Sequence, residues 1–84
     1  MELRQLRYLV AINETGNLGR AAKRLYVSQP ALSYALKKLE AELGVRLFDR
    51  LAGGVVATAA GRDVVAEARA TLRQAERVAV ATTP

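Results

Sequence analysis

Two runs of helical periodicity, separated by only six residues, leave this chain few folds to adopt. Leu18, Ala21, Ala22 and Leu25 fall at i, i+3, i+4 and i+7, the spacing of one buried helix face. Leu32, Leu36, Leu39 and Leu43 then recur at intervals of three and four, which predicts a second amphipathic helix. Between the runs stand Tyr26 and Val27, then Ser28, whose hydroxyl can cap a new helix by accepting from a backbone N–H two or three residues further on. Pro30 falls in the first turn, where its missing N–H would have had no partner within the helix. Helices joined by so short a connection must cross at a large angle, which is the helix-turn-helix unit, here about residues 18–37.

The second helix carries the chemistry. With its leucines buried, a step of about 100° per residue turns Gln29, Pro30, Ser33, Tyr34 and Lys37 outward on a separate face. That face offers hydrogen-bonding groups and a cation, without a carboxylate. No acid occurs from Thr15 to Leu39, while Arg20, Lys23, Arg24, Lys37 and Lys38 supply five positive charges. Such a face suits the major groove, where glutamine can pair with adenine, serine with either partner, and apolar groups with a thymine methyl. The plainer alternative is the ordinary solvated face of a small helical bundle.

Composition narrows the class further. The 84 residues make one domain, near the lower limit for a core that is stable alone. The net charge of +5 and a pI near 10.2 favour a polyanionic partner. Histidine and cysteine are both absent, which removes the usual zinc sites, disulfides, thiol nucleophiles and imidazole bases together. Met1-Glu2-Leu3-Arg4-Gln5 is not the start of a signal peptide, and the longest charge-free run, Leu25 to Leu36, falls short of the roughly 20 apolar residues of a membrane span. The expectation is a soluble, cytoplasmic, mainly α domain that is not an enzyme.

In chain order, a first helix is expected from about Glu2 to Thr15, with Leu3, Leu6, Leu9 and Val10 as its stripe and Gly16 as its stop. Tyr8 and Ile12 point to another side, and are either a partly exposed apolar pair or the seat of a further helix. Arg4 and Arg7 could each reach a phosphate, although a solvated charge is the simpler account of either. Asn17 is placed to cap the second helix, where Gly19 costs up to about 1 kcal/mol relative to alanine or admits another backbone closely. Gly44 stops the third helix. Val45 to Arg50 and Val55 to Ala57, around Gly53-Gly54, read as a small hairpin, which after a helix-turn-helix is a wing. Phe48, the only phenylalanine, is expected to plug the core. Arg50, the wing's cation, can meet a phosphate or a carboxylate such as Glu40, and neither role excludes the other.

Thr58 can cap a last, long helix reaching about Thr82. It is rich in alanine, with Asp63 and Glu67 early and Arg69, Arg73 and Arg77 later, as the helix dipole favours. Val65, Ala68, Leu72, Ala75 and Ala79 form a heptad-like seam with small side chains. A helix so long and so narrowly striped is expected to pack against another helix, with Tyr8 and Ile12 adding to the same surface; the plainer alternative is that it projects into solvent.

Ser28-Gln29-Pro30-Ala31-Leu32-Ser33, followed by the run from Leu39 to Arg50 that reads LEAELGVRLFDR, resembles the DNA-binding domain of LysR-type transcriptional regulators. The opening Met1 to Tyr8 and the segment Arg20-Ala21-Ala22 match as well, so the resemblance covers the whole chain. It implies a winged helix-turn-helix, three helices plus a short β-hairpin wing, over residues 1–58, and a long linker helix over 59–84. It also implies a homodimer formed through the linker helix, and a C-terminal effector-binding domain, absent from this chain, that senses a small molecule. In the full-length regulator it leaves room for a contact with RNA polymerase. The sequence departs from the family pattern at three places, one of them at the start of the last helix, where Ala57 stands for a usual leucine and Ala59 for a usual acid. Tyr34 occupies a position that is often arginine, and Gly53-Gly54 stand where basic residues are common, so the wing is expected to present Arg50 alone.

The combined expectation is a sequence-specific domain for a double-stranded DNA operator with inverted half-sites. Ser28, Gln29, Pro30, Ser33 and Tyr34 should meet base edges or the adjacent backbone, with Lys37 and Arg50 on phosphates. No cofactor, metal or membrane partner is expected for this chain. A protein-docking module is disfavoured by the acid-free basic segment, and an enzyme fragment by the lack of histidine, cysteine and paired carboxylates.

Overall fold

The chain closes each of its helices with local chemistry. In the computed structural model, which describes residues 1–82, the elements run α1 (Leu3–Thr15), α2 (Leu18–Leu25), α3 (Gln29–Leu43), β1 (Phe48–Leu51), β2 (Gly54–Ala57) and α4 (Ala59–Ala81). Thr83 and Pro84, the end of the expected linker segment, lie outside the described residues. Asn17 Oδ1 accepts from the Arg20 N–H at 2.9 Å, Ser28 Oγ from Ala31 at 3.2 Å and Thr58 Oγ1 from Gly61 at 2.9 Å. Each such cap contributes about 1 kcal/mol. Gly16 and Gly44 end α1 and α3 in the left-handed region, at φ 64° and 68°. Tyr26 ends α2 the same way at φ 58°, which costs a side chain of its size about 1–2 kcal/mol. The turn holds it there: the Tyr26 N–H reaches Lys23 O at 3.2 Å and the Val27 N–H reaches Ala22 O at 3.0 Å.

The core lies where α1 meets α2, α3 and the first half of α4. Leu9, Ile12, Leu32, Leu39 and Leu47 are its fully buried large side chains, with Phe48 beside them as expected. Burial of each leucine or isoleucine stabilises the fold by about 1.5–3 kcal/mol. Three residues assigned to a dimer surface are instead part of this core: Ile12 is 0 % exposed, Val65 4 % and Ala68 2 %. The reason is that α1 is covered on more than one side, by α2 and α3 and by α4, so its second apolar face is filled within the chain. Leu3, which the stripe placed inside, is 41 % exposed at the helix start.

The hairpin is shorter than Val45 to Ala57. Its strands are antiparallel, with Phe48 opposite Ala57 and Leu51 opposite Gly54, so Ala52-Gly53 form the turn and Gly54 belongs to β2. Val45 to Leu47 remain outside the ladder, and the N–H groups of Leu47 and Phe48 go to Glu40. The wing is also tied to the α1–α2 turn, the Val55 N–H donating to Gly16 O at 3.0 Å. A Cβ on Gly54 would run into that same carbonyl oxygen.

At the start of α4, Thr58 donates its hydroxyl to Arg46 O at 2.7 Å and its N–H to Leu47 O at 3.0 Å, while a Cβ on Gly61 would run into Leu47 O. The first turns of α4 are therefore part of the body of the fold, and position 58 marks a change of element within continuous packing. From Arg73 onward every described α4 residue is exposed except the half-buried Ala75, and the molecule measures 49 × 25 × 19 Å.

Candidate nucleic-acid interface

The start of α3 is fixed by the Ser28 cap and by Pro30 in its first turn, and its inner side by Leu32, Leu36 and Leu39. What remains is an outward face on which Gln29, Pro30, Tyr34 and Lys37 are exposed and Ser33 is half-buried. Tyr34 is 69 % exposed, its ring standing where a partner can meet it. The wing adds Arg50 to this face: its Nη2 donates to Ser33 Oγ at 3.4 Å.

Arg50 borders two clefts. One, of about 280 Å³, is lined by Ser33, Lys37 and Glu40 of α3 with Phe48 and Val55 of the wing. The other, of about 370 Å³, lies between Asn17 and Gly19 at the start of α2, Gln29 of α3, and Gly53-Gly54 at the wing tip. No acidic side chain lines the second cleft.

The expected alternative of an Arg50–Glu40 ion pair does not form. Glu40 Oε2 accepts from Leu47 N at 2.6 Å and Phe48 N at 3.4 Å. Two backbone donors at the entrance to β1 have no strand partner, and a carboxylate that satisfies both is worth more than an exposed ion pair. Glu40 thus joins α3 to the base of the wing, a role with no signature in the local sequence.

The cations divide into engaged and free. Arg24, at the end of α2, pairs with Glu14 Oε1 at 2.7 Å, and Arg69 of α4 pairs with Glu14 Oε2 at 2.9 Å. The hydrogen bond from Arg69 leads the effects that hold the Glu14 carboxyl below its ordinary value of 4.5, with the charges of Arg69 and Arg24 adding to it against partial burial. Arg46 pairs with Asp49 at 3.0 Å and Arg4 with Glu2 at 3.5 Å. Among the described residues nine cations have no carboxylate partner, and five of them, Arg20, Lys23, Lys37, Lys38 and Arg50, belong to α2, α3 and the wing. All five are exposed.

The residues expected to dimerise are not brought together as one surface. Besides the three buried in the core, Tyr8 sits away from α4, in a groove it shares with Ala31, Tyr34, Ala35 and Lys38. Leu72, Ala75 and Ala79 do share a groove of about 440 Å³, with Leu3 and Arg7 of α1 and Glu76.

Comparison with known proteins follows the same lines. The family model described as "Bacterial regulatory helix-turn-helix protein, lysR family" matches residues 3–62. The transcriptional regulator ClcR of Pseudomonas putida is 49 % identical over 76 residues, 90 % of this chain and 26 % of that protein. TfdT of Cupriavidus pinatubonensis is 46 % identical over 92 % of this chain and 34 % of its own length. The chain therefore spans about a quarter to a third of the curated relatives it matches. The crystal structure of a CbnR DBD–DNA complex superposes with a TM-score of 0.93 at 45 % identity, covering 98 % of this chain and 94 % of that one. A BenM DBD complex with benA site 1 DNA does so at 0.93 and 36 % identity, covering 98 % and 92 %.

Proposed function

The chain belongs to the lysR family of bacterial regulatory helix-turn-helix proteins, and on that premise we propose that it binds double-stranded DNA sequence-specifically, as the DNA-binding part of a transcriptional regulator. Residues 1–58 form the binding unit and the segment from 59 onward the linker helix. Gln29 and Ser33 read base edges in the major groove, with Ser28, Pro30 and Tyr34 against bases or the adjacent backbone. Lys37 and Arg50 hold phosphates. The solved DNA complexes of CbnR and BenM support this reading. One observation carries it to particular residues: the Arg50–Ser33 contact sets the wing's cation on the same face as Gln29, Tyr34 and Lys37, with no free carboxylate among them.

The protein acts as a homodimer on an operator with inverted half-sites, because one winged module buries only about 600–1,000 Å² on DNA and two-fold pairing doubles the footprint. The distal half of α4 supplies the contact, through Leu72, Ala75 and Ala79. A small-molecule effector belongs to the length of the relatives that this chain does not span. The site of action is the bacterial cytoplasm; among the described residues, no helix is long and apolar enough to cross a membrane.

Titration of the chain with a mixed-sequence duplex across a range of salt concentrations tests the reading. The logarithm of affinity should fall against that of salt with a slope of about −0.9 per phosphate neutralised. Binding that does not respond to salt, or no binding at low salt, would overturn it.

A further inference from the structure

Nothing in the backbone of α2 asks for glycine at position 19. Gly19 lies in the first turn, without a left-handed φ, where alanine would favour the helix. What the missing side chain supplies is room, and it is not backbone that fills it. A Cβ at this position would stand 3.2 Å from Asn17 Oδ1 and 3.3 Å from Gln29 Oε1, closer than carbon and oxygen settle comfortably. The two oxygens are not equally free to yield. Asn17 Oδ1 is held as the cap of α2 by the Arg20 N–H at 2.9 Å. Gln29 is exposed and its side chain makes no hydrogen bond to another described residue, so Gln29 is the one that must move.

From this we infer that Gly19 is a specificity-determining residue: by lacking a side chain it seats the Gln29 amide against the start of α2, and so sets the direction in which that amide meets a base. The inference rests on the reading of Gln29 as a base-contacting side chain. A carboxamide pairs with adenine through a donor and an acceptor at once, and both bonds weaken when the plane of the amide turns or shifts. Gly19 and Gln29 line the same cleft, with Arg50 and the wing tip on its far side, so a methyl at position 19 moves the amide at the place where the groove would be entered.

Stability and recognition should therefore separate. The experiment uses this chain as wild type, Gly19→Ala, Gln29→Ala and the double variant. Binding is measured to the duplex that wild type selects from a randomised library and to a scrambled duplex of the same composition, with thermal melts alongside. Gly19→Ala should melt no lower than wild type, lose about fivefold on the selected duplex, and stay within about twofold on the scrambled one. Gln29→Ala should lose more on the selected duplex, and the double variant no more than Gln29→Ala alone, because the methyl acts through the amide. If Gln29→Ala weakens both duplexes equally, the base-reading assignment fails and the inference with it. If Gln29→Ala discriminates but Gly19→Ala binds like wild type, the assignment stands and the role of Gly19 is refuted. A lowered melting point would show that the methyl displaces the Asn17 cap instead. Equal losses on both duplexes, or losses that add in the double variant, would show that Gly19 meets the DNA backbone itself. Each of these three results also overturns the inference.

Discussion

Arg50 Nη2 and Ser33 Oγ lie 3.4 Å apart, the first on β1 and the second on α3. The bond is long and exposed, so it adds at most about 1 kcal/mol to the fold. Its importance is positional, since it leaves a guanidinium parked beside the outward face of α3 with little holding it back. Arg50→Ala should leave stability within about 0.5 kcal/mol. It should weaken selected and scrambled duplexes by similar factors, and lessen the salt slope by about one unit. Fluorescence anisotropy over several salt concentrations reads all of this. A loss confined to the selected duplex would show that Arg50 reads a base.

Glu40 accounts for the base of the wing. Leu47 is fully buried, and its N–H has Glu40 Oε2 as acceptor at 2.6 Å. Glu40→Ala should then destabilise the chain by about 1–3 kcal/mol, the penalty for a buried donor left without a partner. Glu40→Gln retains an amide oxygen at the same reach and should recover at least half of that loss. Urea unfolding of the three proteins decides it, and a Glu40→Ala variant as stable as wild type would show that water satisfies these donors.

Much of this architecture is legible in local sequence because it is made locally. Asn17, Ser28 and Thr58 cap helices through atoms three residues away, and Phe48 had no competitor for the aromatic place in the core. Periodicity, by contrast, says that a face is buried without saying what buries it. Ile12, Val65 and Ala68 were therefore assignable to a second copy, whereas α1 and α4 bury them against each other's side of one core. Glu40 and Glu14 are opaque for a related reason. A carboxylate that captures backbone seven residues away, or an arginine fifty-five residues away, leaves no trace until the chain is folded. The outward face of α3 is the clearest of all, since its residues are those left over once Leu32, Leu36 and Leu39 turn inward.

Acid should act on the chain through Glu14, which joins α1 to Arg24 of α2 and Arg69 of α4. Its folded pKa lies below the ordinary 4.5, so its contribution to stability is complete above that value and is lost as pH falls through the lower, folded one. The carboxylate is partly exposed, and solvent screening keeps the effect modest. Glu14→Gln should therefore lower stability at neutral pH and flatten the acid limb, the two proteins converging once the pH has fallen below the depressed, folded pKa of Glu14. Melting temperatures across the acid range provide the check. Parallel curves for the two proteins would show that the pairs with Arg24 and Arg69 contribute nothing measurable.

Dimerisation is best tested at Ala75. Leu72 packs partly against the core, so its replacement would confound assembly with folding. Ala75 is half-buried in the groove that Leu72 and Ala79 share with Leu3 and Arg7, on a stretch of α4 whose neighbours Val78 and Val80 are 62 % and 65 % exposed. Alanine there lets a second helix approach closely. Lysine has nearly alanine's helix propensity, and its stem can run out to solvent when no helix covers it, so the isolated fold should tolerate Ala75→Lys. Against a second copy the same lysine loses its solvent in a groove that already holds the Arg7 cation, with Glu76 as the carboxylate that lines it. Wild type should sediment as a dimer on a duplex with two inverted half-sites. Ala75→Lys should sediment as a monomer with an unchanged melting temperature, and its affinity for the full site should fall towards that for one half-site. Half-site binding should change little. A wild type that stays monomeric on the full site, or an Ala75→Lys variant that dimerises as well as wild type, would remove the distal half of α4 as the contact between copies.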